Sequence, residues 1–133
     1  MRKVALEVQV ISVIDDDASV RTAADNFLSS YGYEVHTFAS AEAFLQSARL
    51  DDSSCVVADV QMPGMSGLDL LEIIRTRGND IPFIFITAFP SESVRARAAK
   101  ASADGLLDKP FSASVLIDCI ETAVSRDRRR TEQ

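Results

Sequence analysis

The 133-residue chain is poor in the residues that mark several special classes of protein: it has two cysteines, one histidine and no long apolar run. Cys55 and Cys119 are too few for a disulfide-stapled domain, and their apolar surroundings favour buried free thiols. No segment approaches the roughly 20 apolar residues of a membrane-spanning helix, and no signal segment is recognisable. His36 has no second metal ligand nearby in sequence, which favours a surface or edge position. We therefore expect a cytoplasmic protein without membrane contact.

The 14 basic residues are outnumbered by 20 acidic residues, so the net charge is −6. A domain without a basic surface lacks the field that attracts nucleic-acid phosphates, so direct nucleic-acid binding is not expected. The exception is a short basic segment that contains Arg126, Arg128, Arg129 and Arg130. It is most simply a solvated extension of the last helix, or the start of a linker to an absent effector domain. We assign residues 1–125 to one domain and residues 126–133 to this basic tail.

Apolar residues make up 47% of the chain and occur along its whole length, enough for one domain with a substantial core. Short apolar runs typical of strands alternate five times with segments whose apolar residues recur at helical spacing. The predicted strands are residues 8–14, 33–38, 55–60, 81–87 and 105–107. Strict alternation of apolar strands with helices predicts an α/β protein: a doubly wound, five-stranded parallel sheet covered by five helices.

The helix ends are marked by local signals. Ser40 and Ser112 are expected N-caps, and Gly32 and Gly78 are expected to end helices. An alanine-rich segment at residues 91–101 predicts a weak fourth helix. Apolar residues are expected on the buried face of each of the other helices. They are Val20, Ala24, Phe27, Leu28 and Tyr31 in the first helix, and Ala43, Phe44 and Ala48 in the second. In the third helix they are Leu68, Leu71 and Ile74, and in the last helix Val115, Leu116, Cys119, Ile120 and Val124.

Polar side chains stand at the carboxyl ends of four predicted strands. Asp15 and Asp16 follow the first strand, Asp59 lies in the third, Thr87 ends the fourth, and Lys109 follows the fifth. Because ligands of such sheets bind outside these strand ends, we expect the side chains to meet in one cleft. Clustered carboxylates repel unless a cation neutralises them, and Mg²⁺ prefers such hard oxygen ligands.

The same residues predict a chemistry. The Lys109 ammonium group and the Thr87 hydroxyl group are suited to hold oxygens of a phosphoryl group. Asp59, which stands alone among apolar residues on a central strand, is suited to be the nucleophile. Together these groups indicate phosphoryl transfer to an aspartate, which requires positioning and charge neutralisation more than a separate base.

Each residue also has a simpler interpretation. The three consecutive aspartates could form a turn and a helix N-cap, a role that we assign to Asp17. Asp59 could cap the following turn, Thr87 could be an ordinary strand residue, and Lys109 could be a solvated surface charge. Their joint occurrence at successive strand ends favours the site.

The blocks IDDD (14–17), DVQMPGMSG (59–67), FITA (85–88) and KPF (109–111) resemble the signature segments of receiver domains of bacterial two-component response regulators. The similarity covers roughly residues 8–125, and segments such as SAEAFL (40–45) are similar to the FixJ-type subgroup. The resemblance implies a flavodoxin-like fold with strand order 2-1-3-4-5. It also implies a cis peptide bond between Lys109 and Pro110.

The resemblance further implies a phosphorylation-controlled switch rather than an enzyme that turns over a substrate. Its implied partners are a sensor histidine kinase and, through helix 4, strand 5 and helix 5, a second copy of the chain. Output would be transcriptional regulation through a DNA-binding domain absent from this chain. The implied site consists of Asp15, Asp16, Asp59 and the backbone carbonyl of Gln61 as Mg²⁺ ligands, Asp59 as phosphoacceptor, and Thr87 and Lys109 as phosphoryl contacts.

One position departs from the family. Three residues before Lys109, where receiver domains usually have Tyr or Phe, this chain has Leu106. We expect phosphorylation to be retained, and the fourth helix and fifth strand to respond by backbone shifts and repacking instead of a ring movement.

Three alternative functions make different demands on these residues. A haloacid-dehalogenase-like phosphatase needs a second carboxylate two residues after its nucleophile, where this chain has Gln61. A flavodoxin-like cofactor site needs hydroxyls and glycines in the first loop, where three aspartates would repel a phosphate. A phosphorylation-independent interaction module is distinguished by whether Asp59 reacts.

Overall fold

Five strands and five helices alternate along the chain, in the predicted order. The computed structural model describes residues 8–131, with side chains as far as residue 127. The strands are β1 (Val10–Ile14), β2 (Glu34–Phe38), β3 (Cys55–Asp59), β4 (Phe83–Thr87) and β5 (Gly105–Asp108). The helices are α1 (Ala18–Ser30), α2 (Ala41–Gln46), α3 (Gly67–Thr76), α4 (Glu92–Lys100) and α5 (Ala113–Thr131).

The strands form one parallel sheet in the order β2-β1-β3-β4-β5, as the resemblance implied. The chain runs outward from β1 to β2 and then crosses back to β3, so strand order reverses between β1 and β3. All five residues of β3 are buried because strands flank it on both sides and helices cover both faces. The crevice above β1 and β3 is therefore where this architecture places a ligand.

Two apolar layers hold the helices against the sheet. One layer joins alternate residues of the strands to α2, α3 and α4, with Phe44, Leu71 and Val94 among its buried members. The other joins the opposite face of the sheet to α1 and α5, with Leu28 and Ile120 buried. Strands that are apolar on both faces thus account for the two-sided helical covering.

Four predicted core positions were wrong. Ala43 is exposed because α2 buries the face that carries Ala41 and Phe44. Ala48 is exposed because α2 ends at Gln46, and its backbone is left-handed with φ +67. Tyr31 is 55% exposed since it is the C-cap of α1, where its ring stacks on Tyr33. Val115 is 49% exposed in the first turn of α5.

Most local signals were confirmed. The hydroxyls of Ser40 and Ser112 accept hydrogen bonds from the amides of Ala43 and Val115, as N-caps do. Gly32 and Gly78, with φ +109 and +81, follow the ends of α1 and α3. β1 starts two residues later than predicted, at Val10, and β4 starts at Phe83, after a proline that lacks an amide hydrogen.

The last helix continues into the basic tail. The backbone of α5 runs to Thr131, and Arg126 pairs with Asp104 at 3.3 Å across the end of the sheet. The side chains of Arg128, Arg129 and Arg130 lie outside the described residues. The start of a linker at residue 126 stays a prediction. Among the helices described between residues 8 and 131, none has the length and apolar character to cross a bilayer.

Gly105 marks a tight contact between β5 and α5. A β-carbon at this position would lie 2.5 Å from the Cys119 sulfur, whereas the next neighbours, on Ile84, lie at an ordinary 3.7 Å. Burial raises the pKa of the half-buried Cys119 thiol, consistent with an inert packing role.

We expect Gly105→Ala to lower the free energy of unfolding by about 1–3 kcal/mol, because the added methyl group overpacks this contact. Cys119→Ala removes the clashing sulfur, so the double variant should be more stable than the sum of the two single changes predicts. Urea denaturation of the four proteins measures this coupling. Additive losses would show that the clash is relieved in another way.

Candidate phosphoryl-acceptor site

Three residues from distant parts of the chain meet at the carboxyl edge of the sheet. The Nζ of Lys109 donates hydrogen bonds to Asp15 Oδ2 at 3.0 Å and to Asp59 Oδ2 at 3.1 Å. Asp15 follows β1, Asp59 ends β3 and Lys109 follows β5, so parallel strand ends bring them together, as expected from the sequence. Their assigned roles stay predictions.

Asp16 completes an acidic cluster at this edge. One carboxylate oxygen from each of Asp15, Asp16 and Asp59 can be chosen so that all lie within 4.8 Å of one another. Asp15 is fully buried and Asp59 is 6% exposed, whereas Asp16 is exposed. The cluster therefore has a buried floor and one side that opens to solvent. Three hard oxygen ligands at this spacing fit a divalent cation such as Mg²⁺.

Asp15 is held from several directions. Its Oδ1 accepts a hydrogen bond from the Asp17 amide at 2.9 Å, and its Oδ2 accepts one from Lys109. Burial raises the pKa of Asp15, and the negative charge of Asp59 adds to that effect, while the hydrogen bonds from Asp17 and Lys109 oppose it. The buried carboxylate thus depends on its cationic partner.

The carboxylate of Asp59 is oriented through both oxygens. Its Oδ1 accepts a hydrogen bond from the Gln61 amide at 3.2 Å, while Oδ2 contacts Lys109. The side chain lies on the last residue of a fully buried strand, so its backbone has little freedom. Gln61 is exposed, and its carbonyl's role as a metal ligand stays a prediction.

Lys109 is fixed by its backbone as well as by its ammonium group. Its amide donates a hydrogen bond to the Thr87 carbonyl at 2.8 Å, and the bond to Pro110 is cis. Burial opposes the charged ammonium group, but hydrogen bonds and attraction from Asp15 and Asp59 outweigh it and raise the pKa of Lys109. The side chain is therefore a permanent cation between two carboxylates at neutral pH.

Thr87 lies at the same edge but is not bonded to Asp59. The strand register pairs Asp59 with Ile86, so Thr87 is one residue closer to the edge. Its side chain is fully buried, and Oγ1 accepts a hydrogen bond from the Phe89 amide at 3.1 Å. The strand register therefore places the Thr87 hydroxyl next to the site, but its hydrogen bond is with the turn that follows β4.

Arg21 supports the site and was not predicted. Its Nη1 donates a hydrogen bond to the backbone carbonyl of Asp15 at 2.7 Å, so the first turns of α1 hold the β1–α1 loop. The available sequence signal was weak, since an arginine six residues after an aspartate has no characteristic pattern.

The simpler interpretations hold for several other residues. Asp17 is the N-cap of α1, and hydrogen bonds from Ser19 lower its pKa. His36 lies on the edge strand β2 and contacts Glu34 at 2.8 Å, as expected for a surface position. Cys55 is buried, and that burial raises the pKa of its thiol strongly.

An apolar groove of about 520 Å³ borders the site. It runs between α1 and the segment that follows β5, and ends at Lys109. Its lining residues are Ser19, Val20, Ala23, Phe27, Lys109, Pro110 and Phe111.

Sequence comparison decides the family. A family model described as "Response regulator receiver domain" matches residues 11–121. The chain belongs to the receiver domain family. Receiver domains are the switch domains of two-component response regulators, so the resemblance carried by the four sequence blocks is confirmed.

The related proteins include transcriptional regulators. The receiver domain is 41% identical over 123 residues to Nodulation protein W of Bradyrhizobium diazoefficiens, covering 92% of this chain and 54% of that protein. It is 35% identical over 123 residues to the transcriptional regulatory protein FixJ of Azorhizobium caulinodans, covering 92% of this chain and 58% of that protein. The chain thus spans little more than half the length of these relatives.

Solved structures agree with the fold. The response regulator StyR superposes with a TM-score of 0.86 at 40% identity, covering 95% of this chain and 64% of that chain. The crystal structure of FixJ-N superposes with a TM-score of 0.80 at 34% identity, covering 90% of this chain and 95% of that chain. The FixJ-type resemblance and the predicted strand order are therefore confirmed.

We expect Lys109→Met to lower the free energy of unfolding at pH 7, without divalent cations, by about 3 kcal/mol, because two charge-assisted hydrogen bonds of about 1.5 kcal/mol each are lost. Losing the cation raises the pKa of Asp15 further above 3.8. A carboxyl group whose folded pKa is raised favours the folded state below its unfolded pKa and loses that contribution as pH rises. The loss should therefore be larger at pH 7 than at pH 4.

Urea denaturation at both pH values measures this difference. Lys100→Met, at an exposed position of α4, is the matched control and should have little effect at either pH. An equal loss at pH 4 and pH 7 for Lys109→Met would contradict the electrostatic role of Lys109.

Proposed function

We propose that this receiver domain is switched by Mg²⁺-dependent phosphorylation of Asp59. The observation that supports this most directly is the position of Lys109 between the carboxylates of Asp15 and Asp59, beside the exposed Asp16. One ammonium group cannot balance three carboxylates, so the edge keeps an excess of negative charge. A divalent cation would remove that excess and prepare the edge for an anionic phosphoryl group.

The proposed Mg²⁺ ligands are the side chains of Asp15, Asp16 and Asp59 and the backbone carbonyl of Gln61. The ion would supply positive charge that stabilises the oxygens of the transferred phosphoryl group. Asp16, the exposed member of the cluster, would form the solvent side of the metal site. Asp15, which is fully buried, would form its floor.

In the proposed transfer, a carboxylate oxygen of Asp59 attacks the phosphorus atom of the donor. A new P–O bond forms as the bond between phosphorus and the donor's leaving atom breaks, and the leaving group keeps that electron pair. The Lys109 ammonium group would exchange its hydrogen bond with Asp59 for one with a phosphoryl oxygen, where it stabilises the negative charge that develops during the transfer. The Thr87 hydroxyl would donate to another oxygen, exchanging its contact with the Phe89 amide for one with the phosphoryl group.

The switch would follow from this exchange. Movement of Thr87 disturbs the turn after β4, and β4 pairs with β5, which carries Leu106. Leu106 packs against the core layer that contains Val94 and Ala98 of α4. Because it has no ring to turn inward, α4 and β5 would respond by backbone shifts and repacking.

The proposed output is regulation of transcription through an effector domain that is absent from this chain. Relatives named as transcriptional regulatory proteins, of which the chain covers little more than half, support this. A sensor histidine kinase would be the phosphodonor, and α4, β5 and α5 would form the surface for homodimerisation. The domain would act in the cytoplasm, and would catalyse only its own phosphorylation and dephosphorylation. Gln61, in place of a second carboxylate, argues against a phosphatase of the haloacid-dehalogenase type.

Incubation with acetyl phosphate and MgCl₂, followed by intact-mass measurement, tests the proposed reaction. The natural chain should gain the mass of one phosphoryl group, and Asp59→Asn should gain none because the amide is a poor nucleophile. Asp51→Asn, at an exposed position between α2 and β3, is the matched control and should be phosphorylated normally. Amide spectra of the same samples would report whether the Leu106 region responds.

Phosphorylation of Asp59→Asn, or no reaction of the natural chain in the presence of Mg²⁺, would contradict the proposed function. The latter result, together with a folded spectrum, would favour the phosphorylation-independent interaction module.

The apolar groove beside Lys109 suggests where a kinase would dock, since its phosphohistidine must approach Asp59 while the surrounding protein is bound. Ala23 is exposed and lines this groove.

We expect Ala23→Glu to slow phosphotransfer from a sensor kinase tenfold or more, because a charge would be buried in the interface. A tenfold loss of rate corresponds to an increase of about 1.4 kcal/mol in the activation free energy. The rate with acetyl phosphate should not change. Thr22→Glu, exposed but outside the groove lining, is the control. Equal slowing with both phosphodonors would show damage to the site itself.

A further inference from the structure

Glu42, in the first turn of α2, contacts a loop 23 residues further along the chain. Its Oε2 accepts a hydrogen bond from the Met65 amide at 3.0 Å. The same carboxylate lies against Gly64, where an added β-carbon would meet Oε2 at 2.7 Å. One carboxylate thus contacts two successive residues of the loop between β3 and α3.

This contact is separate from the capping of α2. Ser40 is the N-cap, and its hydroxyl accepts a hydrogen bond from the Ala43 amide at 3.0 Å. A reciprocal capping box would need an acidic residue three positions after Ser40, at Ala43, whereas Glu42 stands one position earlier. The Glu42 carboxylate is therefore available to join α2 to another element of the fold.

The loop that Glu42 contacts belongs to the proposed phosphorylation site. It begins after Asp59, whose Oδ1 accepts a hydrogen bond from the Gln61 amide. Its far end is fixed by the Ser66 and Asp69 capping box at the start of α3. Between these two ends, the Met65 amide is held from α2 by Glu42.

We propose that Glu42 is a positioning residue for the Mg²⁺ site: it holds the β3–α3 loop, and with it the backbone of Gln61, in a fixed position relative to Asp59. This inference rests on the proposed function, because it gives the Gln61 carbonyl its role as a ligand. Glu42 acts through the loop backbone and does not itself contact the metal or the phosphoryl group. Without this bond, the loop samples more conformations, and metal binding must order it.

Three single variants of the full chain test the proposal: Glu42→Ala, Glu42→Gln and, as a control, Gln46→Ala at an exposed position of the same helix. Glu42→Ala removes the acceptor of the hydrogen bond. Glu42→Gln keeps a carbonyl oxygen that can accept it but removes the negative charge at the helix N-terminus. The pair therefore separates loop positioning from a general effect on α2.

Two measurements need no phosphorylation. Hydrogen exchange of the Met65 amide in the metal-free protein reports the loop contact, and titration with MgCl₂ followed by amide spectra gives the Mg²⁺ dissociation constant. We expect Glu42→Ala to weaken Mg²⁺ binding about fivefold, the equivalent of one hydrogen bond of modest net strength, and to speed exchange at Met65. Glu42→Gln and Gln46→Ala should resemble the natural chain in both measurements. At saturating Mg²⁺, the acetyl phosphate reaction of Glu42→Ala should approach the natural rate.

Unchanged Mg²⁺ affinity in Glu42→Ala would overturn the proposal. Equal weakening in Glu42→Ala and Glu42→Gln would also overturn it, since the loss would then follow the charge on α2 and not the hydrogen bond. A natural chain that binds Mg²⁺ but gains no phosphoryl group would contradict the proposed function alone, because exchange at Met65 and the Mg²⁺ affinities would still decide the role of Glu42.

Discussion

Electrostatic repulsion between Asp15 and Asp59 is the constraint on which the carboxyl edge of the sheet depends. Both carboxylates are nearly excluded from water, and a buried charge without a partner is costly. Lys109 resolves this cost with hydrogen bonds of 3.0 and 3.1 Å, one to each residue. β5 lies at the edge of the sheet beside β4, and the segment after it brings Lys109 to both carboxylates.

The surroundings of these charges divide into a rigid part and an adaptable part. Asp59 is rigid because β3 is buried along its whole length, and Asp15 is rigid because Arg21 and Asp17 hold its loop. Asp16 is exposed, and the Thr87 hydroxyl is bonded to a neighbouring turn that can release it. Under the proposed phosphorylation of Asp59, this arrangement would combine a fixed acceptor with contacts that can move.

The sequence predicted the features that depend on periodicity and on strand ends. Apolar runs identified the strands, and residues that follow parallel strands must share an edge, so the meeting of Asp15, Asp59 and Lys109 was foreseeable. The contacts of Arg21 with Asp15 and of Glu42 with Met65 were not, since they depend on the paths of two loops. The buried face of α2 was misassigned because six residues are too few for helical spacing to select one face reliably.

The length of α5 has a mechanical consequence. With 19 residues, this helix is roughly 28 Å long, and it starts four residues after the lysine that bridges the two carboxylates. A tilt of about 5° at its base would carry its far end through about 2.5 Å. Its base lies beside the charged edge, and Arg126, further along the same helix, pairs with Asp104 at the opposite rim, so a small tilt that begins near the lysine would displace this distant contact more than the base.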